Sequence, residues 1–551
     1  MVTEHTTHYK EFGKERKEHQ ELGLLPKWFS TSGYQLFKEK YLWADNYKAQ
    51  ITAISKTLAR HTTNPKLWEK KFFTAMWNGW LSPSTPILSN CGTDRGLVVS
   101  CSGQYVGDSI EAFYNARREA AILSKHGFGC SAYLGGIRPR GSKISSGGKA
   151  LGIAPVLKGF VQDSRDVSQG GVRRGSFAGY IPIDHGDFWE IVAHLEKEPD
   201  DLNIGWNISD EFVKRLEEGD PESLSRFARA LKVKMVTGKG YFWFVDKANR
   251  ALPLRYRQDG LTCYASNLCS EILLPSSEML TYTCVLLSLN VARYDEWKDT
   301  NLVAIAVEFL NAVCSEFIEK ARGVPGLENA VRFTERYRAI GIGVMGLHTY
   351  FQKKMIPMEG LEAHMLNIEI FRDLREKAEA ASAGRNASLI AVAPTKSTAL
   401  IMGGESEGIN PDPAYVFTQA TAGGEMQRVN PVLLDLMKKK GVHDKKHIQE
   451  IADAFGSVQG VDWLDEEEKK VFKTAFEMDQ GSLIRLASAR APYIDQWQSV
   501  NLFFSAGEEP EVIARVHKQA FLDENIRGLY YVYSKAGIAG SKGEACEACA
   551  S

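Results

Sequence analysis

The sequence predicts an α/β protein with a large buried core, arranged as several domains or as one large α/β barrel with additions. Three observations carry that expectation. The 551 residues are 44% hydrophobic and 10% aromatic, enough apolar surface to build an extensive core and too much for a disordered chain. Residues 97–102, 240–246 and 281–290 are short runs of β-branched, aromatic and apolar residues that read as strands. Longer segments between and after them, residues 110–125 and the stretch from about Leu302, read as helices. A formal charge of −1 argues against any general attraction to nucleic acid or anionic membranes, and leaves room for discrete phosphate sites.

Taken in order, residues 1–20 are crowded with His, Lys and Glu and have no apolar core of the kind a signal peptide needs. No run approaches the ~18 apolar residues of a spanning helix, so a soluble, cytoplasmic protein is expected. Residues 1–80 form a helical region, because Trp28, Phe29, Leu36, Tyr41, Trp43, Tyr47, Ile51, Ile54 and Leu58 recur at helical intervals and Pro65 interrupts. Pro83 and Pro86 keep the hydroxyl-rich stretch 81–90, which includes Thr85, out of helix. Ser100 and Cys101 lie on the strand expected over 97–102. Asp108 and Glu111 have capping-box spacing ahead of the helix 110–125, so Asp108, Ser109 and Ile110 read as a helix start first and as a ligand site second. Residues 126–180 are rich in glycine and arginine, with Gly129, Arg138, Ser168, Gln169 and Arg173 in their loops; an anion site and flexible surface loops both fit.

Near the middle stands Ser266-Asn267-Leu268-Cys269-Ser270-Glu271. As a β-strand it would place Asn267, Cys269 and Glu271 on one face. Alone, the same stretch also fits an inert buried thiol flanked by solvent-facing polar residues. Nine cysteines without a secretion signal are expected to be reduced, and any disulfide among them transient and catalytic. Residues 341–346 match a dinucleotide fingerprint in letters, but the charged segment 332–338 stands where a buried strand should precede, so they read as close packing in a glycine-rich helix or turn. Residues 389–393 form an apolar strand that delivers Pro394, Thr395, Lys396, Ser397 and Thr398 to a helix start, which suits a phosphate or a plain N-cap. The tail, residues 534–551, has the composition of a flexible arm, and its Cys546 and Cys549 read as a mobile dithiol, since no second pair completes a zinc site.

Together, Asn267 to Glu271, the separated Cys101 and Cys284, the Gly-Asp-Ser helix start, the 168–173 loop, Ala393-Pro394-Thr395, the tandem Tyr530-Tyr531 and the terminal dithiol resemble the large subunit of class I ribonucleotide reductases, in the family's order from about Ser82 onward. The resemblance implies a ten-stranded α/β barrel of two five-stranded halves with a central finger loop, spanning 81–533 between a helical region (1–80) and a redox tail (534–551). It implies that Cys269 forms a thiyl radical that takes the ribose 3′ hydrogen, that Glu271 is the base on the 3′ hydroxyl, and that Asn267 binds substrate. Cys101 and Cys284 would be the reductant pair, Cys546 and Cys549 its shuttle, and Tyr530 and Tyr531 the radical relay. Thr85, Ser100, Gly129 and 394–398 would bind a ribonucleoside diphosphate. Asp108, Ser109, Ile110, Arg138, Ser168, Gln169 and Arg173 would form and couple a specificity site for deoxynucleotide or ATP effectors. The implied partners are a metal-containing, ferritin-like small subunit that supplies the radical, thioredoxin or glutaredoxin, and a second copy of the chain. No metal or cofactor is expected in this chain, and neither membrane nor direct nucleic-acid binding. Two departures stand out: no ATP-cone is recognisable ahead of Ser82, and Thr395-Lys396-Ser397-Thr398 replaces a commoner Thr-Gly-Thr. A cobalamin-dependent reductase of the same barrel and a non-catalytic nucleotide-binding relic are the alternatives.

Overall fold

A computed structural model describes residues 2–167, 175–199, 203–421 and 424–534. Helices Val2–Glu21, Thr31–Lys40, Tyr47–Ala59 and Pro65–Trp77 form the expected helical region. Ser30, Asn46 and Asn64 cap the last three through their side-chain oxygens. Pro65 does not interrupt a helix; it starts one, at a position whose N–H would have no helical partner. Strand β1 (Leu81–Pro83) follows and joins the second of the two larger sheets.

The first sheet holds β2 (Cys101–Tyr105), β3 (Gly129–Tyr133), β4 (Phe177–Pro182), β5 (Asn203–Ile208) and β6 (Tyr241–Phe244), all parallel in that order. Parallel neighbours need long crossovers, supplied by helices Ile110–Lys125, Ile153–Asp166, Phe188–Lys197 and Pro221–Thr237. Strand β7 (Tyr282–Thr283) adds antiparallel to β2. The second sheet pairs β1 antiparallel to β8 (Leu286–Asn290), and β8 parallel to β9 (Gly341–Met345). Parallel bridges Ile342–Ile390 and Val392–Gln498 extend it by two more segments. The five parallel strands of the first sheet, and the three strands and two bridged segments of the second, are the expected five-stranded halves, the first sheet carrying short antiparallel edge strands besides. A hairpin of β10 (Val416–Thr421) and β11 (Gly424–Val429) opens an insert, and β12 (Leu502–Phe504) pairs with β14 (Val532–Ser534). Strand β13 (Gly528–Leu529) closes on β6.

Several local expectations are corrected: the stretch 81–90, expected outside helix, forms a short helix over Thr85–Asn90, with Pro86 in its first turn where no helical N–H is needed. The strand expected over 97–102 begins only at Cys101. The run 281–290 is two strands in different sheets, and the chain crosses between them at Cys284 and Val285. Residues 341–345 are a buried strand, not a helix or turn. Its glycines answer to crowding: a Cβ on Gly343 would lie 2.7 Å from the Ala391 carbonyl oxygen. The stretch from Ser266 to Glu271 is no strand but a loop, with Leu268 and Cys269 in a turn and Ser270 at φ +60°. That left-handed value is unusual for a non-glycine residue and ends any period-two alternation.

The helical region is fastened to the barrel at Glu316, buried on helix Leu302–Ala321. His61 Nε2 and Arg60 reach its carboxylate at 2.8 and 2.7 Å, and Lys320 at 3.4 Å. Burial by itself would raise this pKa; hydrogen bonds from His61 and Arg60 and the charges of Lys320 and Arg60 reverse the effect and hold it at about 2. A depressed carboxylate stabilises the fold above its unfolded value, and that contribution fades as pH falls toward the folded value. Glu316→Gln should therefore cost ~2 kcal/mol at neutral pH. In urea unfolding, the gap from the parent protein should narrow between about pH 4.5 and pH 2.

Candidate active site

The loop from Ser266 to Ile272 is gripped from both halves. Tyr180, on β4, donates to the Asn267 carbonyl at 2.7 Å. Gly129, on β3, lies so close that a Cβ there would stand 2.4 Å from Leu268 Cδ1. From the other half, Trp497 N donates to Glu271 O at 2.8 Å, and Ser499 Oγ to Cys269 O at 2.7 Å. Ser266 Oγ closes the loop's base, donating to Ile272 O and accepting from Ile272 N.

This grip brings together the side chains that a strand would have aligned. Asn267 Nδ2 donates to Glu271 Oε1 at 2.9 Å and to Cys101 Sγ at 3.3 Å, while its Oδ1 accepts from the Glu271 backbone N at 3.2 Å. Cys101 and Cys284 form a disulfide with Cα atoms 5.1 Å apart. Their backbones are locked as well, Cys284 N donating to Cys101 O at 2.8 Å. Glu271 is 1% exposed. Burial pushes its pKa up to about 7, against the opposing hydrogen bonds from Asn267, its own backbone and Ser499. A carboxyl group poised there can take or give a proton near neutrality.

Cys269, buried, faces the other expected element. The Tyr530 hydroxyl reaches its Sγ at 3.6 Å. The Tyr530 and Tyr531 rings lie 4.1 Å apart between centroids, and Tyr531 is followed by Tyr533 at 5.9 Å. Tyr530 is buried, whereas Tyr531 and Tyr533 are partly exposed. The aromatic series thus leads from the thiol outward. Tyr241 of β6 joins it, its hydroxyl 3.4 Å from that of Tyr531.

The hydroxyl-rich segments also converge. Ser82 and Ser84, Ser288 of β8, and Thr395 and Thr398 line one narrow pocket. Thr395 takes φ +57° as N-cap of helix Lys396–Ile401 without using its side chain on that helix; its Oγ1 accepts from Gly408 N at 2.8 Å. The Ser84 Oγ is buried and has no hydrogen-bond partner among the described residues. Thr85 is buried beside it, Pro394 precedes the turn, Ser397 is partly exposed and Lys396 exposed. Ser100 is buried, bonded through its backbone to Cys284 and Gly129.

At a separate place Asp108 meets Arg138, with Nε to Oδ2 at 2.5 Å. Ser109, not Asp108, is the cap of helix Ile110–Lys125, accepting from Ala112 N; Ile110 is 65% exposed. Ser168, Gln169, Arg173, Cys546 and Cys549 lie outside the described residues. Cys91, Cys130, Cys263 and Cys314 are buried thiols outside any disulfide. Sequence reasoning missed Tyr180, Ser499 and Tyr241 as parts of the site. Each is a common residue inside a strand-like run, with no local pattern to mark it.

Family models described as "Ribonucleotide reductase, barrel domain" match residues 99–228, 225–384 and 373–532, and one described as "Ribonucleotide reductase, all-alpha domain" matches 27–96. The "Putative ribonucleoside-diphosphate reductase large subunit" of Frog virus 3 is 34% identical over 536 residues, covering 90% of this chain and 93% of its own length. A vitamin B12-dependent ribonucleoside-diphosphate reductase of Mycobacterium tuberculosis is 29% identical over 476 residues, covering 78% of this chain and 66% of its own. The class Id ribonucleotide reductase alpha subunit of Actinobacillus ureae superposes with a TM-score of 0.85 at 36% identity, over 93% of this chain and 98% of that one.

The pairing of Cys101 with Cys284 has a chemical readout. Non-reducing peptide mapping of the oxidised protein should recover these two in one crosslinked pair, with Cys269 alkylatable once the chain is unfolded. A crosslink containing Cys269 would contradict the arrangement.

Proposed function

The chain belongs to the ribonucleotide reductase large subunits, and from that premise we propose that the loop of Asn267, Cys269 and Glu271 carries out its reduction of ribonucleoside diphosphates to deoxyribonucleotides. One observation carries the residue roles. A single amide, Asn267 Nδ2, touches both the disulfide-forming pair and the buried carboxyl, with Cys269 two residues along and the Tyr530 hydroxyl on its sulfur.

In this reading Tyr530, as a radical, takes the hydrogen atom of the Cys269 thiol, and the resulting thiyl takes the ribose 3′ hydrogen. Glu271 accepts the 3′ hydroxyl proton. The 2′ hydroxyl then leaves as water with one proton from the cysteine pair; the pair's other hydrogen goes to C2′ as an atom, its second electron and the Glu271 proton restore the 3′ hydroxyl, and the Cys101–Cys284 disulfide closes. The hydrogen held by Cys269 returns to C3′, restoring the thiyl. The oxidised pair in this structure corresponds to the enzyme after one turnover. Its reduction falls to Cys546 and Cys549 by thiol exchange, and from there to thioredoxin or glutaredoxin. Burial of the site keeps the radical from solvent and from other thiols.

The hydroxyl pocket of Ser82, Ser84, Ser288, Thr395 and Thr398 suits the substrate diphosphate, and the unpartnered Ser84 Oγ is one donor for it. Asp108 and Arg138 are the expected effector contacts. On helix Ile110–Lys125, Ile110 and Tyr114 are 65% and 64% exposed one turn apart, a face suited to a second copy of the chain. The outward run of Tyr530, Tyr531 and Tyr533 favours a radical delivered by a separate metal-containing small subunit, as in class I enzymes, over cobalamin.

Cys269→Ser should abolish reduction of cytidine diphosphate while nucleotide binding persists; surviving turnover would sink the mechanism. Glu271 must be ionised to act as a base, so kcat/KM should rise about tenfold per pH unit up to about pH 7 and then level. Glu271→Gln should lower the rate ~10²–10⁴-fold and remove that limb. Turnover that requires added adenosylcobalamin and ignores Tyr530→Phe would select the cobalamin reading instead.

A further inference from the structure

Lys234 lies near the end of helix Pro221–Thr237 and is wholly buried. A buried ammonium is costly unless an anion or several acceptors repay its lost hydration. No carboxylate acts on Lys234 among the described residues; burial alone shifts its pKa, down to about 7. Its Nζ instead donates to two carbonyls, Gly240 O at 3.0 Å and Tyr530 O. The rings of Phe242 and Tyr241 stand 5.4 and 5.9 Å from it. The titratable neighbour across the sheet is His517, itself buried and held neutral, its pKa lowered to about 4 by burial and partly by the Lys234 charge. With its pKa at about 7 Lys234 keeps a charged fraction at neutral pH that donation to two carbonyls does not by itself require, so a lysine buried at this place calls for a reason.

The reason lies in what else holds Tyr530. Its backbone N donates to Val500 O at 2.8 Å, a residue that continues the second half of the barrel. Its carbonyl is held by Lys234, from a crossover helix of the first half. Flanking contacts follow the same division: Tyr531 N donates to Asn501 Oδ1 at 3.2 Å, and Val532 N faces Gly238 O at 3.5 Å. Between these two anchors the Tyr530 side chain points its hydroxyl at Cys269 Sγ. A charge-assisted hydrogen bond is stronger and more directional than a neutral one. Transfer of a hydrogen atom between oxygen and sulfur depends steeply on their separation, and a ~1 Å displacement can cost ~10²-fold in rate.

We propose that Lys234 is a positioning residue for the step between Tyr530 and Cys269, its ammonium clamping the Tyr530 carbonyl so that the phenol stays on the thiol. The inference rests on the reading of Tyr530 as the last relay before Cys269. Lys234 does not touch substrate, so its loss acts on turnover and leaves nucleotide affinity alone.

The test compares the full chain, assayed with its small subunit on cytidine diphosphate, with Lys234→Met, Lys234→Arg and Tyr530→Phe. Lys234→Met keeps the length of the side chain and removes its donors; kcat should fall ~10–100-fold with KM within about twofold. Lys234→Arg, which keeps charge and donors, should recover most of that loss, whereas a purely structural role would make the larger Arg no better than Met. A Lys234→Met kcat within about twofold of the parent, beside an inactive Tyr530→Phe, overturns the inference and spares the relay. So does a folded Lys234→Arg as slow as Lys234→Met. A fully active Tyr530→Phe overturns the relay itself. Should Lys234→Met fail to fold, Lys234→Leu, likewise without donors, is read by the same thresholds.

Discussion

The arrangement depends on one amide. Asn267 donates to the Glu271 carboxyl and to Cys101 and accepts from the backbone behind it, so a single side chain sets the separation between a buried carboxyl and a disulfide. A buried carboxyl or thiol must find a partner or pay heavily for its lost hydration. Here the partners are supplied within the loop itself, and the rest of the barrel holds that loop still. Tyr180 and Gly129 do so from one half, Trp497 and Ser499 from the other. The two half-barrels are thus walls of one socket, and the loop is what they close upon.

Much of this was legible in the sequence where a residue's chemistry is rare and its order along the chain informative. Cys101, Cys269, Cys284 and the tandem tyrosines could be assigned to one site before any contact was known, and they do meet. The local shape was less legible. The central stretch alternates in a way that suits a strand, yet the left-handed Ser270 turns it into a loop, because tertiary contacts at Tyr180 and Ser499 outweigh local pattern. The glycines of 341–346 suggested close packing in a helix or turn; the close packing is there, but the element is a strand over Gly341–Met345. Ser499 and Tyr241 were invisible for a plainer reason: their partners lie some two to three hundred residues away, at Cys269 and Tyr531, and no short window contains both.

The C-terminal third is fastened by buried cations that have found carbonyls and amides where acids would be usual. Lys247 caps the end of helix Pro510–Leu522 through Phe521 O at 2.6 Å and Asp523 O at 2.8 Å, where the helix dipole is negative. Arg527 donates to Ile494 O and Gln496 O, both at 2.6 Å, and Arg490 reaches Asn367 Oδ1 at 2.7 Å. Lys234 belongs to the same group. These contacts pin irregular backbone that neither sheet hydrogen-bonds fully. That backbone leads directly into Tyr530, Tyr531 and Tyr533, so the cations that hold it also hold the aromatic series.

Glu271 has a further consequence, in the energetics of folding. A carboxyl that ionises near pH 4.5 in the unfolded chain and near 7 when folded binds a proton more tightly in the folded state. Folding around it is fully favoured only below the lower value, and the contribution is lost as pH rises through the upper one, an order of ~3 kcal/mol across the interval. The barrel is thus least stable, with respect to this group, under the conditions in which the group can accept a proton. Reactivity at the centre is held in place by cohesion elsewhere, and the extensive hydrophobic core around the loop is what makes an ill-solvated acid tolerable there.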